Sequence, residues 1–169
     1  LANQKKHLLL STGNKSELAV GFCTLYGDMN GGLSVIGDLY KTKVFKLCQW
    51  LDSKESAERR RLYGLNSEIQ IIGNRIYSKA PSAELGPNQL DTDSLPPYSL
   101  LDKILKSIIE EKKDLRMLKK EGHTNELILR IISLIKKAEF KRNQAPLILK
   151  LSSQSLGSDW RVPIAINYE

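Results

Sequence analysis

A short polar segment, residues 11–17, carries the residue types in this chain that are best suited to chemistry. It reads Ser-Thr-Gly-Asn-Lys-Ser-Glu and directly follows an apolar run. Hydroxyls, a glycine and a carboxylate therefore lie where a predicted strand gives way to a predicted helix. Ligands of α/β sheets bind at that edge, because helix N-termini direct free N–H groups into the crevice. Thr12 would suit a nucleotide, and Glu17 would suit Mg²⁺ that is shared with phosphate groups.

The same segment also has a purely structural interpretation. Asn14 followed three residues later by Glu17 matches a capping box, in which side chains satisfy the free N–H groups of the first helical turn. That arrangement would explain both residues without a ligand. A cap does not require Thr12 or Gly13, so these two residues favour a ligand at the strand end. The residues alone leave both interpretations open.

Cations at two predicted helix ends extend the candidate site. Lys41 lies at a helix start, where the helix dipole disfavours a positive charge. A nearby anion would explain it, and a side chain that reaches into water is the alternative. Lys141 and Arg142 lie at a helix end, where they could complement the dipole or bind phosphate. Ser82 and Glu84 lie in a proline-rich stretch and are either turn residues or part of a functional loop.

The elements that position these groups follow from hydrophobic periodicity. Two short strands are predicted, at residues 7–12 and 33–36. Helices are predicted at residues 14–25, 38–51, 98–113, 114–122 and 124–144, with Asp38 as a cap of the second. Residues 52–66 are predicted to be a charged surface connection, and residues 67–76 a short helix with a turn. Residues 79–97 are predicted to be a long proline-rich loop, and residues 147–169 an irregular tail with short strands. We expect an α/β protein whose C-terminal half is helical.

Composition excludes several classes of protein. The chain has 169 residues, of which 41% are hydrophobic and 27% charged, as is usual for a globular domain. No apolar run approaches the roughly 18 residues that cross a bilayer, so we expect no membrane partner. The two cysteines, Cys23 and Cys48, have neither metal-ligand nor disulfide spacing, and the two histidines lie far apart. We therefore expect no zinc site, and a reducing, cytoplasmic compartment.

The positive charge is concentrated in the predicted helical half. The chain carries a net charge of +7, and residues 101–150 hold 13 Lys or Arg against 7 Asp or Glu. Such a balance indicates a polyanionic partner, either nucleic acid or the phosphates of a nucleotide, or else a solvated helix face. A basic RNA-binding helical module without catalysis is thus the alternative function. Only Tyr98 and Phe140 are aromatic in residues 79–150, too few to favour base stacking.

Beyond these patterns, the chain resembles the NAD synthetase family. Six blocks carry the resemblance and occur in the family's order, at residues 11–17, 21–28, 36–42, 79–85, 93–98 and 139–146. Two segments, Leu-Tyr-Gly-Asp and Leu-Pro-Pro-Tyr, are similar to those of the longer, glutamine-dependent members. Those members carry an additional N-terminal, nitrilase-like amidase domain.

The resemblance implies an adenine-nucleotide α-hydrolase-like, Rossmann-like fold and a two-step ligation. ATP adenylates the nicotinate carboxylate of deamido-NAD with release of pyrophosphate, and ammonia from a glutaminase domain then displaces AMP to give NAD. The resemblance also implies Mg²⁺, and we expect a homo-oligomer in the full-length protein. It implies ATP contacts at Thr12, Lys41 and Ser82, deamido-NAD contacts at Glu17 and Lys141, and a metal contact at Glu17.

The sequence also departs from the family's pattern. It contains no Ser-Gly-Gly-x-Asp-Ser pyrophosphate loop and no amidase domain with a catalytic cysteine. Leu25 and Gly32 stand where the short, ammonia-dependent members have a substrate-binding lysine and aspartate. We therefore expect residues 1–150 to be the C-terminal part of a synthetase domain and residues 151–169 to be a tail. The isolated chain is expected to be inactive.

Overall fold

The computed structural model describes residues 1–82 and 89–164 of the chain. Its helices and strands, in chain order, are α1 (Ala2–Lys5), β1 (Leu10–Ser11), α2 (Lys15–Val20), β2 (Leu33–Ser34), α3 (Lys41–Leu51), α4 (Lys54–Leu62), α5 (Asn74–Ser78), a 3₁₀ turn (Asp91–Asp93), α6 (Tyr98–Ile109), α7 (Leu115–Lys120), α8 (Asn125–Lys137), α9 (Glu139–Arg142) and β3 (Leu147–Ile148). Among these helices, none combines the length and the apolar character that crossing a bilayer requires.

The three described strands form one parallel sheet in the order β1–β2–β3. Leu33 of β2 pairs with Leu10 of β1 on one side and with Leu147 of β3 on the other. Parallel neighbours need a crossover connection, which α2 supplies between β1 and β2. The parallel α/β arrangement is therefore confirmed. The prediction of a strand over residues 7–12 was too long, because Leu8 and Leu10 remain 64% and 49% exposed and only the end of the apolar run pairs.

The chain divides into two compact units. The first contains residues 1–41 together with the chain from Tyr98 onward, and the second contains residues 42–97. The sheet, α2 and the helices α6 to α9 belong to the first unit, whereas α4 and α5 belong to the second. The expected boundary between residues 150 and 151 stays a prediction.

The core of the first unit forms where α2 packs against α6 and α8. The aliphatic side chains buried in these three helices are Leu18, Ala19, Val20, Leu101, Ile104, Leu105, Ile109, Ile128, Ile131 and Ile135. Apolar residues that recur every three or four positions line one face of a helix, and that face is buried. The stripes predicted for the helices at residues 98–113 and 124–144 are therefore confirmed.

Helix α2 ends five residues earlier than periodicity predicts, at Val20 rather than at residue 25. Gly21 follows it with a φ of 72°, in the left-handed region that favours glycine. A Cβ at Gly21 would also lie only 2.8 Å from the Cβ of Ala138. Backbone conformation and close packing on Ala138 therefore both require glycine here, and the helix stops.

The predicted capping role of Asp38 is wrong. Helix α3 begins at Lys41, and its first N–H donates to the side-chain oxygen of Ser16 at 2.8 Å. The hydroxyl of Ser16 in α2 thus accepts a helix-start N–H, the role that was expected of the Asp38 carboxylate. Asp38 itself is buried and faces Lys15.

Residues 52–66 are not a simple surface connection, because α4 spans Lys54–Leu62 within them. Ser53 caps this helix by accepting the N–H of Ser56 at 3.2 Å. The helix has no apolar stripe, which is why periodicity missed it, but Ala, Glu, Lys and Arg all have high helix propensity. Helix propensity and an N-terminal cap are thus sufficient to form α4, although no hydrophobic pattern indicates it.

Two side chains organise the irregular segment that follows α4 in the second unit. Arg60 donates to the carbonyl oxygens of Asn66 and Glu68 at 2.7 and 2.5 Å. Asp52 accepts the backbone N–H groups of residues 71–73 at 2.8 to 2.9 Å. These hydrogen bonds hold the pKa of Asp52 below its ordinary value. The segment is thus fixed by charged side chains rather than by regular structure.

Candidate functional site

The predicted capping box at the start of α2 is confirmed. The side chain of Asn14 accepts the N–H of Glu17 at 3.1 Å, and Glu17 Oε2 accepts the N–H of Asn14 at 3.2 Å. Thr12 directly follows β1 with an exposed side chain. A Cβ at Gly13 would be 3.8 Å from the nearest atom, Ser11 Oγ, so the described chain has space for a larger residue there.

Glu17 also forms an ion pair with Lys41. Glu17 Oε1 lies 2.7 Å from Lys41 Nζ, and the two side chains are 15% and 20% exposed. The ammonium of Lys41 lies 5.5 Å from the centre of the Tyr98 ring. The resemblance assigns these two charges to different ligands, whereas the structure pairs them with each other. Because both side chains still reach solvent, an incoming ligand could replace either partner.

Sequence reasoning missed a third charged residue of this segment, Lys15. Its side chain is 0% exposed. The ammonium contacts four oxygen atoms at 2.7 to 3.0 Å, which belong to Asp38, Glu110, Ser152 and the backbone of Gln154. The ring of Tyr40 lies 4.9 Å away. A lysine is seldom buried unless it is paired, and its partners here are too distant in sequence for any local pattern to reveal them.

Asp38, the partner of Lys15, is held ionised by a second set of contacts. Its Oδ2 accepts the N–H groups of Leu151 and Ser152 at 2.7 and 2.6 Å, and its Oδ1 accepts the hydroxyl of Ser152 at 2.9 Å. Burial alone would raise the pKa of Asp38. These hydrogen bonds, together with Lys15, outweigh burial and place the pKa below its ordinary value.

Lys141 lies at the opposite end of α2. Its ammonium donates to the carbonyl oxygens of Gly21 and Cys23 at 2.9 and 2.7 Å. Carbonyl groups at a helix C-terminus lack partners within the helix, and a cation there also complements the helix dipole. In the described chain, Lys141 therefore stabilises the end of α2.

Arg142 also binds the C-terminal end of α2, and its guanidinium is surrounded by hydrogen-bond partners. It is 5% exposed, and its guanidinium donates to the carbonyl oxygens of Leu18 and Ala19 at 3.3 and 2.7 Å. It also donates to Ile135 near the end of α8 and forms a 2.6 Å ion pair with Glu139. The dipole interpretation of this cation is thus confirmed, and its burial leaves no surface for phosphate binding.

The Cys23 thiol is influenced by burial and by charged residues of the candidate site. Burial raises its pKa from 9.0 to about 11, with Lys141 lowering it and Asp28 and Glu17 raising it. A thiol with such a pKa is neutral near pH 7 and is a poor nucleophile. Cys23 and Cys48 are both free, as their spacing predicts.

The remaining predicted contacts lie elsewhere in the chain. Ser82 belongs to the second unit, where its side chain is half-buried. Glu84 lies outside the described residues. Of the predicted site residues, the structure therefore brings Glu17 and Lys41 into direct contact.

Comparison with known sequences identifies the family. The family model described as NAD synthase matches residues 1–145. The chain belongs to the NAD synthase family. The "Glutamine-dependent NAD(+) synthetase" of Synechocystis sp. is 51% identical over 165 residues, which cover 98% of this chain and 27% of that protein. The protein of the same name from Thermotoga maritima is 41% identical over 169 residues, 100% of this chain and 27% of its own length. The chain thus spans about a quarter of the length of these curated relatives.

A solved structure supports the fold of this NAD synthase chain. The crystal structure of a glutamine-dependent NAD(+) synthetase from Cytophaga hutchinsonii superimposes with a TM-score of 0.66 at 21% identity, over 96% of this chain and 25% of that one. The predicted adenine-nucleotide α-hydrolase-like fold class is therefore confirmed.

The metal prediction for this NAD synthase chain rests on a single carboxylate. Within residues 1–82 and 89–164, no three His, Cys, Asp or Glu side chains are grouped so that they could hold a metal ion. Both oxygens of Glu17 already have partners, Lys41 and the N–H of Asn14. Mg²⁺ is usually held by one or two carboxylates plus phosphates and waters. The role of Glu17 as a Mg²⁺ ligand therefore stays a prediction.

The RNA-binding alternative has no support from the comparisons. The structure also removes part of the positive charge on which it rested. Arg142 is buried, Lys141 is bonded to backbone carbonyls, and Lys113 pairs with Glu111 at 2.6 Å. These cations are engaged within the protein.

Proposed function

We propose that this chain is part of the synthetase domain of a glutamine-dependent NAD synthetase, which converts deamido-NAD to NAD. In this reaction the nicotinate carboxylate attacks the α-phosphate of ATP, and pyrophosphate leaves. Ammonia then attacks the adenylated carbonyl carbon, and AMP departs with the carboxylate oxygen that it carries. The observation that carries the proposal is the family match over residues 1–145. The curated relatives are named for their use of glutamine, which supports a glutaminase domain as the source of ammonia.

The position of Glu17 and Lys41 supports a nucleotide site in this part of the chain. Both residues lie in the first turns of helices that follow parallel strands, where α/β proteins bind ligands. Lys41 would pair with a phosphate group of ATP when the nucleotide binds. Glu17 would hold the Lys41 ammonium in place, and the exposed hydroxyl of Thr12 would contact the nucleotide. Ser82 is proposed as an ATP contact from its sequence block alone.

Lys141 and Glu17 are proposed to contact deamido-NAD. An ammonium group has three N–H donors, and Lys141 uses two of them on backbone carbonyls. The third would bind one oxygen of the substrate. Because the carbonyl bonds hold the ammonium in place, such a contact would be preorganised.

Three further features belong to the proposal. Mg²⁺ would neutralise developing charge on the phosphates, with Glu17 as one ligand. The free thiols Cys23 and Cys48 support a reducing, cytoplasmic compartment. We also propose a homo-oligomeric full-length protein, and turnover that depends on the rest of the synthetase, since the chain spans about a quarter of its relatives' length.

Lysine substitutions in a complete synthetase that carries this chain test the proposal. The assay measures AMP and NAD formed from ATP, Mg²⁺, deamido-NAD and ammonia. Lys41→Ala should raise the Michaelis constant for ATP, and Lys141→Ala should raise that for deamido-NAD. Loss of a charged phosphate contact costs on the order of 1.5–3 kcal/mol, or roughly 10- to 150-fold in kcat/KM.

Two exposed lysines provide matched controls. Lys43 lies two residues beyond Lys41 on α3, and Lys137 lies at the end of α8. Their alanine variants should leave both Michaelis constants within about twofold, as expected of surface substitutions. Equal effects of Lys41→Ala and Lys43→Ala on the Michaelis constant for ATP would contradict the ATP role. If the unmodified complete enzyme forms no NAD from the substrates of the assay, the proposed function itself is contradicted.

A further inference from the structure

The C-terminal strap, residues 150–155, is attached to the core by unusually buried polar contacts. It lies beyond residue 145, where the match to the family model ends. Ser155 is 0% exposed and the following Leu156 is 1% exposed, although neither belongs to a helix or strand. Ordering an irregular segment costs conformational entropy, which these contacts must offset.

The strap is held by Lys15 and Asp38. Ser152 Oγ lies 2.7 Å from the Lys15 ammonium and 2.9 Å from Asp38 Oδ1, which are themselves 3.0 Å apart. The backbone of the strap adds the carbonyl of Gln154 to Lys15 and two N–H groups to Asp38. The Ser152 hydroxyl therefore sits at the centre of a buried ion pair.

Asp38 is also the last residue of the turn at residues 35–38, which leads to Lys41 at the start of α3. On one side of this turn, the strap binds the carboxylate of Asp38. On the other side, α2 binds the following residues: the N–H of Lys15 donates to the carbonyl of Leu39 at 2.9 Å, and Ser16 Oγ accepts the N–H of Lys41 at 2.8 Å. The turn is thus clamped between the strap and α2.

We propose that Lys15, Asp38 and Ser152 are positioning residues for the ATP site, through which the strap fixes Lys41 beside Glu17. The expected change in the Michaelis constant for ATP rests on the proposed synthetase function, whereas the expected change in backbone exchange at residues 38–41 does not. Lys41 is the first residue of α3, so any shift of the turn moves its backbone. Its side chain must then extend differently to reach the same phosphate.

Ser152→Ala tests the proposal, with Ser153→Ala as its matched control. Ser153 is the neighbouring strap residue, with an exposed side chain. Ser152→Thr keeps the hydroxyl and should rescue the function. These small substitutions avoid the unfolding that removal of Lys15 or Asp38 would risk, since either change leaves a buried charge without its partner.

Two measurements separate positioning from simple stability. Hydrogen–deuterium exchange of the complete synthetase, measured without substrate, should show exchange about tenfold faster at residues 38–41 in Ser152→Ala. In the complete synthetase, the Michaelis constant for ATP should rise roughly three- to tenfold while kcat stays within about twofold. Ser152→Thr and Ser153→Ala should match the unmodified protein in both measurements.

The outcomes distinguish the two proposals. Unchanged exchange at residues 38–41 in Ser152→Ala overturns the positioning inference whatever the activity. Faster exchange with an unchanged Michaelis constant for ATP also overturns it, because the strap would then only stabilise the fold. A complete protein that forms no NAD, yet shows faster exchange in Ser152→Ala alone, contradicts the synthetase function and supports the structural coupling.

Discussion

Glu17 Oε1 lies 2.7 Å from Lys41 Nζ while Glu17 Oε2 accepts the N–H of Asn14, so one carboxylate joins the starts of two helices. The capping interpretation and the ligand interpretation of Glu17 are therefore compatible. The cap fixes the glutamate backbone and one oxygen. The other oxygen determines where the Lys41 ammonium lies.

The two roles of Glu17 separate in the variant Glu17→Gln. The amide oxygen of glutamine still accepts the Asn14 N–H, so the cap survives, but the charge that faces Lys41 is lost. We expect the free energy of unfolding to fall by about 1 kcal/mol or less, as is usual for a partly exposed pair. Adenylation by a complete synthetase should fall roughly 100-fold, by analogy with removal of one preorganised electrostatic group. Thermal unfolding and pyrophosphate release measure the two effects.

Glu55→Gln is the control for this charge removal. Glu55 lies in the first turn of α4 and pairs with Arg59 at 3.0 Å, with 61% of its side chain exposed. It should change neither stability nor adenylation appreciably. Near-normal adenylation by a folded Glu17→Gln protein would restrict Glu17 to its capping role.

The packing of Gly21 on Ala138 predicts a cost beyond that of its backbone conformation. Gly21→Ala places a methyl group 2.8 Å from the Ala138 Cβ, whereas a Cβ at Gly64, which has a φ of 66°, would meet no atom within 4 Å. Gly64→Ala should cost about 1–2 kcal/mol for the left-handed backbone alone. Gly21→Ala should cost about 1–3 kcal/mol more through overpacking. Urea unfolding of both variants measures the difference.

Ala138→Gly provides the test of mechanism for that difference. If the clash with Ala138 is the cause, the pair Gly21→Ala with Ala138→Gly should recover part of the stability lost by Gly21→Ala. Additive losses in the double variant would mean that the two residues do not interact.

The half-buried Cys23 thiol predicts a specific dependence on pH. With a pKa raised from 9.0 to about 11, its thiolate fraction at pH 8 should be roughly 100-fold below that of an unperturbed thiol, and alkylation correspondingly slow. The folded protein holds this proton more tightly than the unfolded chain. The stabilising contribution is therefore complete below pH 9 and is lost as pH rises towards 11.

Iodoacetamide labelling followed by peptide mass analysis checks the reactivity of Cys23. The pH dependence of stability is measured as the difference in unfolding free energy between the unmodified chain and Cys23→Ala, which cancels other groups that titrate in the same range. Fast labelling of Cys23 in the folded chain at pH 8 would contradict its raised pKa.

Removing only one partner of the Arg142–Glu139 ion pair should strongly lower the free energy of unfolding. Arg142→Met leaves the carboxylate of Glu139, 2% exposed, without its cation and should destabilise the chain by about 3–5 kcal/mol. Replacing both residues, as Glu139→Gln with Arg142→Met, should cost less than Arg142→Met alone. Chemical denaturation of the single and double variants measures the interaction, and a double variant less stable than Arg142→Met would refute it.

The sequence predicts those parts of this fold that depend on neighbouring residues. The stripes of α6 and α8, the Asn14–Glu17 cap and the parallel α/β class all arise from local spacing or local propensity. Lys15 escaped prediction because its burial depends on Asp38, Glu110 and Ser152, which lie 23 to 137 residues away. The end of α2 was not predicted because apolar residues continue at helical spacing past Gly21, whereas the helical backbone ends before it.

The division of the first unit into two sequence segments has a consequence during synthesis. Leu18, Ala19 and Val20 are buried against α6 and α8, and the last buried residue of α8, Ile135, follows Val20 by about 115 residues. At about 5–20 residues per second, a ribosome needs roughly 6 to 23 s to produce the missing partner. During that interval α6 and α8, against which the apolar face of α2 packs, are not yet complete. The nascent chain therefore offers chaperones a binding segment well before it can fold.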